Sequence, residues 1–330
     1  MITHHHTPRS ILLTTILVVS TIVIVSTTNW IILWLAIEIN LISIIPLITI
    51  SKVSYEAESA IKYFLIQASS SSLILTSIIM YLSSSLVHVR TTLFISRLII
   101  KIGIAPFHLW LPQVLKRLTW RLIIIITTWQ KLGPLLIISY TLHLWNPLSL
   151  LTIVAINAFL GRLGGINQTQ VRPLIAYSSI SHIAWILARR SVSYRITYLY
   201  FIFYSIISII LIIPIISITK ITTNKFDITT QLSSNISFST ILNLLSLGGI
   251  PPLLGFIPKW IVVLTLIKTN ITLPIILIFS SIIRLFFYLI LFFTRTLNSN
   301  KTLIISLTTP LLYQSVPLNI FTPIIILLYL

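Results

Sequence analysis

Four ionisable side chains stand inside stretches that are otherwise long and apolar. Glu38 lies in Trp34-Leu-Ala-Ile-Glu-Ile-Asn40, and Lys101 precedes Gly103-Ile-Ala-Pro106. Lys131 lies in Thr128-Trp-Gln-Lys-Leu-Gly-Pro134, and Lys259 follows Pro258. A charge at the centre of a bilayer costs about 2.5–3.5 kcal/mol on insertion scales, and residues that bear this cost mark ion or proton pathways. Lysine suits proton transfer. Removing an amine from water favours its neutral form, and a nearby carboxylate favours the ammonium. A lysine poised between those pulls takes up and releases a proton as its surroundings change, which arginine does not do. Glu38 is the only acid inside an expected span and needs a cation to stay ionised. The competing readings are a structural ion pair for Glu38 and snorkelling of Lys259 to the interface. His108, within Pro106-Phe-His108, and His182, within the polar run Ser178-Ser-Ile-Ser-His182, rank second. Each fits either a proton relay or a hydrogen-bonded structural histidine. His4, His5 and His6 are expected to be solvated, and no metal-ligand spacing is present.

The elements that must hold these groups follow from composition. The chain has 330 residues, 56% hydrophobic and 8% charged, whereas a soluble domain carries about 25% charged residues. This is the composition of an all-α membrane protein. Acids are limited to Glu38, Glu56, Glu58 and Asp227, so 22 Lys and Arg leave a formal charge of +18. The basic excess is not a nucleic-acid footprint, since no basic tail or stripe lies in a polar domain. The chain has no cysteine, which removes thiolate and iron–sulfur ligation from its chemistry. No phosphate-binding loop, dinucleotide fingerprint or nucleophile elbow is present, and no cleavable secretory signal is evident.

Hydropathy predicts about eleven transmembrane helices. They cover residues 10–28, 30–50, 59–82, 93–112, 120–142, 148–166, 172–188, 194–218, 237–268, 272–294 and a final one within 302–330, where Pro310 and Pro317 interrupt the pattern. If each crosses once, the N-terminal side collects Arg9, Lys52, Lys62, Lys116, Arg117, Arg121, Arg172, Lys220, Lys225, Arg295 and Lys301. The other side collects Arg90, Arg189, Arg190, Arg195 and Lys268. The bias places the N-terminus inside, in cytoplasm or matrix, and the C-terminus outside.

Two spans are unlike the rest. Lys101-Ile-Gly-Ile-Ala-Pro-Phe-His-Leu-Trp-Leu-Pro-Gln113 and Leu247-Gly-Gly-Ile-Pro-Pro-Leu-Leu-Gly-Phe-Ile-Pro-Lys259 align at Gly103 with Gly249, Ile104 with Ile250, Pro106 with Pro252 and Pro112 with Pro258. Proline removes a backbone donor and clashes with the preceding turn, so both helices are expected to break. Irregular backbone survives at membrane depth only where protein or a wet cavity satisfies it. A matched pair of broken segments points to a transporter built from internal repeats. Two kinked helices of no special role are the plainer alternative. The Gly161-Arg-Leu-Gly-Gly165 run reads as close helix packing or a helix end rather than a phosphate loop.

These residues carry a resemblance. Leu35–Asn40, Ala60–Gln67, Lys101–Trp110, Thr128–Pro134, Gly164–Gln170, Ala176–His182 and Leu245–Trp260 are together similar to the antiporter-like membrane subunits of mitochondrial respiratory complex I, the NADH:ubiquinone oxidoreductase. The match runs in order over about two-thirds of the chain. The resemblance implies one transmembrane domain, 1–330, with inverted five-helix repeats at 10–142 and 148–294, and a metazoan form lacking three N-terminal helices. It implies that Glu38 pairs with Lys101, that Lys131 connects two half-channels and that Lys259 is the terminal lysine. It also implies the mitochondrial inner membrane, with the N-terminus in the matrix and the C-terminus in the intermembrane space. Contacts to the complex's antiporter-like subunit 4, to its small subunit 4L and to lipid are implied as well. NADH, FMN, iron–sulfur clusters and ubiquinone would be used elsewhere in the complex.

The leading expectation is a proton-translocating subunit of that complex. The alternatives are a stand-alone cation/proton antiporter and a structural subunit without its own proton path. Three residues depart from the family's pattern. Arg97, Arg162 and Arg284 fall in or near spans where the family is uncharged, and methionine is scarce, with 2 in all. One hypothesis covers both: the sequence was translated with a genetic code that reads some Met codons as Ile and some Ser codons as Arg. Arginines lining wet cavities are the alternative.

Overall fold

The computed structural model describes residues 8–50, 54–82, 87–141, 147–166, 168, 170–188, 194–219, 234–268 and 271–298. The expected last helix, Asp227 and His4–His6 lie outside these residues. Every element among the described residues is helical. In order they are α1 (Pro8–Ser26), α2 (Trp30–Thr49), α3 (Ser54–Leu82), α4 (Val87–Ile102), α5 (Trp110–Leu115), α6 (Trp120–Ile124), a π segment (Ile125–Trp129), α7 (Gln130–Thr141), α8 (Pro147–Ile166), α9 (Val171–Ala188), α10 (Tyr194–Thr219), α11 (Ser234–Gly248), α12 (Phe256–Ile267) and α13 (Thr272–Asn298). Seven runs among the described residues are long and apolar enough to cross a membrane, with α6, the π segment and α7 counting as one. Of the other expected spans, α9 forms as an 18-residue helix. The fourth and ninth are divided, into α4 and α5 and into α11 and α12.

Both divisions fall where glycine and proline cluster. Gly103 and Gly249 end the first halves with φ of +80° and +83°, the left-handed conformation that closes a helix and that glycine adopts without a Cβ penalty. The prolines beyond them cannot continue the backbone ladder.

The chain forms two compact units, residues 1–146 and 147–330. In unit one α1 packs on α2, α2 on α3, and α3 on both α4 and α5. Near the start of α3, the Glu58 carboxylate is bonded to Arg117 and, at 2.8 Å, to Lys62. These groups are half-exposed, where ion pairs contribute only about 0–1 kcal/mol.

In unit two α9 is buried along most of its length and packs against α8, α10, α12 and α13. Its serines do not need outside partners: Ser178, Ser179 and Ser181 donate to the carbonyls of Ile175, Ala176 and Ser178 at 2.7–2.8 Å. The glycine run at the end of α8 packs on this helix. A Cβ at Gly161 would lie 2.7 Å from the Ser181 backbone nitrogen, and one at Gly164 would strike the Tyr177 ring. Small residues thus let two polar-cored helices approach closely. Large apolar side chains such as Ile11, Ile22, Ile282 and Phe286 are exposed on α1 and α13, as expected of surfaces that face lipid.

Candidate functional site

Unit one gathers Lys101 and Lys131 around a single small cavity, which Tyr63, Gln67 and Gln130 also line. Lys101 is in the last turn of α4, two residues before the break at Gly103. Its amine is shielded from solvent and has no hydrogen-bond partner among the described residues. Lys131, 3% exposed, is the second residue of α7, in the first turn after the π segment. The local sequence accounts for that irregular turn. Pro134 has no N–H to offer the Gln130 carbonyl four residues earlier. Thr127 and Thr128 donate their hydroxyls to the carbonyls of Ile123 and Ile124, both at 2.7 Å. Single π turns inside α-helices recur at functional sites.

A polar chain surrounds the two lysines. Gln67 Nε2 donates to the Lys101 carbonyl at 3.2 Å. Gln130 Nε2 donates to Asn40 Oδ1 at 2.7 Å, and the Tyr63 hydroxyl donates to Gln130 Oε1 at 3.4 Å. Glu38 lies two residues before Asn40 on α2. Its carboxylate accepts a 2.5 Å bond from Ser71 Oγ, and its charge acts on Lys101. No ion pair within 4 Å joins Glu38 to Lys101 among the described residues. The direct pair implied by the resemblance is therefore a longer-range attraction here, with Ser71 as the immediate partner. His108 sits within the break, 8% exposed, its Nδ1–H donating to the Pro106 carbonyl at 3.3 Å.

Unit two holds Lys259 and His182. Lys259 is 6% exposed on α12, so it does not snorkel. Its ammonium donates to the Gly248 carbonyl and, at 3.5 Å, to that of Leu247, the last residues of α11. It also lies 5.9 Å from the Trp185 ring centroid, within reach of a cation–π attraction. His182 Nδ1 is 2.9 Å from the Tyr200 hydroxyl, and its ring stands 5.0 Å from that of Tyr204.

The three unusual arginines are all buried. Arg97, Arg162 and Arg284 are 0%, 2% and 4% exposed. Each has one bonded nitrogen: Arg97 to Thr76 Oγ1 at 3.0 Å, Arg162 to the Leu277 carbonyl at 3.3 Å, and Arg284 to Ser181 Oγ at 2.8 Å. In each, Nε and one other nitrogen lack hydrogen-bond partners among the described residues. Arg162 and Arg284 repel one another and Lys259.

Sequence reading singled out Lys101, Lys131, Lys259, Glu38 and both histidines, but not Tyr63, Gln67, Asn40, Gln130, Ser71 or Tyr200. A usable signal existed for two of these. Asn40 and Gln130 are amides in apolar spans, two residues from Glu38 and one from Lys131 respectively.

Comparison with known proteins shows the family and the fold. The family described as "NADH:quinone oxidoreductase/Mrp antiporter, TM" matches residues 27–284. A curated relative from Lumbricus terrestris, NADH-ubiquinone oxidoreductase chain 2, is 37% identical over 286 residues, covering 86% of this chain and 85% of its own. The protein of the same name from Locusta migratoria is 33% identical over 296 residues, covering 87% and 86%. A chain in the structure of respiratory complex I from Thermus thermophilus with bound aureothin shares the fold. Its TM-score is 0.72 at 20% identity, over 84% of this chain and 68% of that one.

Proposed function

We propose that this chain, which belongs to the NADH:quinone oxidoreductase/Mrp antiporter transmembrane family, translocates protons as an antiporter-like subunit of respiratory complex I. The observation that carries this reading is the small cavity lined by both Lys101 and Lys131, with Tyr63, Gln67 and Gln130. Both lysines border the same low-dielectric space, where like charges disfavour one another, so a proton can be held on one amine or the other. Glutamine and tyrosine side chains both donate and accept hydrogen bonds and can orient water for transfer between the amines. Glu38, held by Ser71, adds a charge whose protonation alters how firmly Lys101 keeps its proton.

In this reading protons pass by way of Glu38, Lys101, Lys131 and Lys259, with His108 and His182 assisting through water. The chain itself holds no redox centre. NADH, FMN, the iron–sulfur clusters and ubiquinone belong to other subunits, whose reactions drive the transfer through conformational or electrostatic coupling. The partners are further subunits of the complex, among them the antiporter-like subunit 4 and subunit 4L, together with membrane lipid. The location is the mitochondrial inner membrane with the N-terminus in the matrix, an orientation supported by the basic residues collected on that side.

Substituting Lys131→Met keeps the volume and removes the titrating group. A complex carrying it is expected to oxidise NADH while pumping fewer protons per NADH into proteoliposomes. Unchanged stoichiometry would refute the relay. The family description also spans Mrp antiporters, and a stand-alone cation/proton antiporter would use the same lysines. Copurification separates the two: isolation without redox subunits favours the antiporter.

A further inference from the structure

The two helix breaks share a backbone shape but are capped by different chemistry. In unit one the Gly103 N–H reaches the carbonyls of Ile99 and Ile100, both at 3.1 Å, and the Trp110 indole N–H covers the Ile100 carbonyl at 3.1 Å. In unit two the Gly249 N–H reaches Leu245 and Ser246, both at 3.0 Å. There the remaining carbonyls, of Gly248 and Leu247, are covered by the ammonium of Lys259. The carbonyls at a helix C-terminus carry partial negative charge and favour a cation. One break is thus closed by a neutral donor that does not titrate, the other by a group that does.

Gly249 makes that closure possible. A Cβ there would lie 2.9 Å from both Lys259 Cδ and Cε, and closer still to Nζ. A Cβ on Gly103 would come no closer than 3.4 Å to its nearest neighbour, the Trp110 indole. The elements packed against α12 bring His182 from α9, Tyr200 and Tyr204 from α10, and Arg284 and Tyr288 from α13. Arg162 of α8 and Arg284 both repel the ammonium. The carbonyls of Leu247 and Gly248 are the groups its ammonium bonds, with the Trp185 ring centroid 5.9 Å away, and that seat stands whether or not positions 162 and 284 carry charge.

We propose that Gly249 is a positioning residue for Lys259. The space left by its missing side chain seats the ammonium on the carbonyls that end α11, so that gain and loss of the proton tightens and loosens the broken end of that helix. This rests on Lys259 as a proton carrier and adds a way for its charge to be converted into movement. A neutral amine binds carbonyls more weakly than an ammonium, so the end of α11 opens when the proton leaves and closes when it returns.

The test compares Gly249→Ala, Lys259→Ala and the double variant in the assembled complex by hydrogen exchange of the amides at 248–250 and 253–255, the segment 248–255 less its two prolines. Each single change is expected to raise exchange several-fold. The double variant is expected to show less than the combined effect, because the truncated side chain at position 259 leaves room for the new Cβ. Full additivity would overturn the proposal. Lys259→Met adds no Cβ at 249 and loses only the cap, so it too should speed exchange at 248–255, and unchanged protection there would overturn the proposal even if Gly249→Ala fails to assemble. A third readout is the pH profile of NADH-driven pumping. Gly249→Ala should displace it, whereas a purely structural glycine would scale activity equally at every pH, and an undisplaced profile counts against positioning. Proton stoichiometry in Lys259→Met distinguishes the two levels. If it is unchanged, Lys259 is not a carrier; additivity in exchange sinks the positioning role alone.

Discussion

Arg97, Arg162 and Arg284 pose the sharpest question at the scale of single residues. A guanidinium does not shed its proton in a protein, and an unpaired charge in a low-dielectric interior carries a desolvation penalty of several kcal/mol or more. Here three are buried with unbonded nitrogens, beside hydroxyls of Thr76 and Ser181 and a backbone carbonyl. A serine at each site would bond back to its own helix, as Ser178, Ser179 and Ser181 do, and would remove the repulsion on Lys259. Mass spectrometry of the mature protein is expected to find serine at positions 97, 162 and 284. Peptide masses that fit arginine, with tryptic cleavage after those positions, would dismiss the translation hypothesis. The lysines and Glu38 were legible because a charge in an apolar span is rare by energy alone. The amide and hydroxyl partners were not. Asn40, Gln130 and Tyr63 acquire meaning only once α2, α3 and α7 are set side by side, and single-chain patterning carries no register between helices.

At the scale of elements, both breaks could be read from glycine and proline, but the groups that cap them could not. Trp110 and Lys259 sit seven and ten residues beyond their respective glycines, and only the folded loop decides which of them reaches the carbonyls. The π turn before Lys131 was likewise invisible, since the span at 120–142 reads as one continuous helix. The glycine run in α8 offers a cleaner test of packing. Gly161→Ala would place a Cβ against the Ser181 backbone, whereas Gly165→Ala would meet nothing closer than 3.9 Å. Overpacking costs about 1–3 kcal/mol, and glycine to alanine inside a helix gains up to about 1 kcal/mol. Thermal unfolding of the solubilised complex is therefore expected to come earlier for Gly161→Ala and to be unchanged or later for Gly165→Ala. Equal behaviour of the two would argue against close α8–α9 contact.

For the whole molecule, composition alone set the class. A chain with 8% charged residues and 56% hydrophobic ones has little but lipid and other subunits to face, and seven apolar spans among the described residues follow from that. Among the described residues, each compact unit contains one broken helix and at least one lysine buried beside or beyond the break. That recurrence ties the repeat pattern in the sequence to the chemistry. It also makes the account separable from a merely structural one, because a fixed positive charge and a proton carrier place different demands on the same site.

Lys131→Arg draws that line most directly. Arginine keeps the charge and much of the reach but does not release a proton. In proteoliposomes, the complex with Lys131→Arg is predicted to oxidise NADH with a reduced number of protons moved per NADH, as with Lys131→Met. Full wild-type stoichiometry in the arginine variant would show that a permanent cation suffices at this position and would contradict proton transfer through the buried amines.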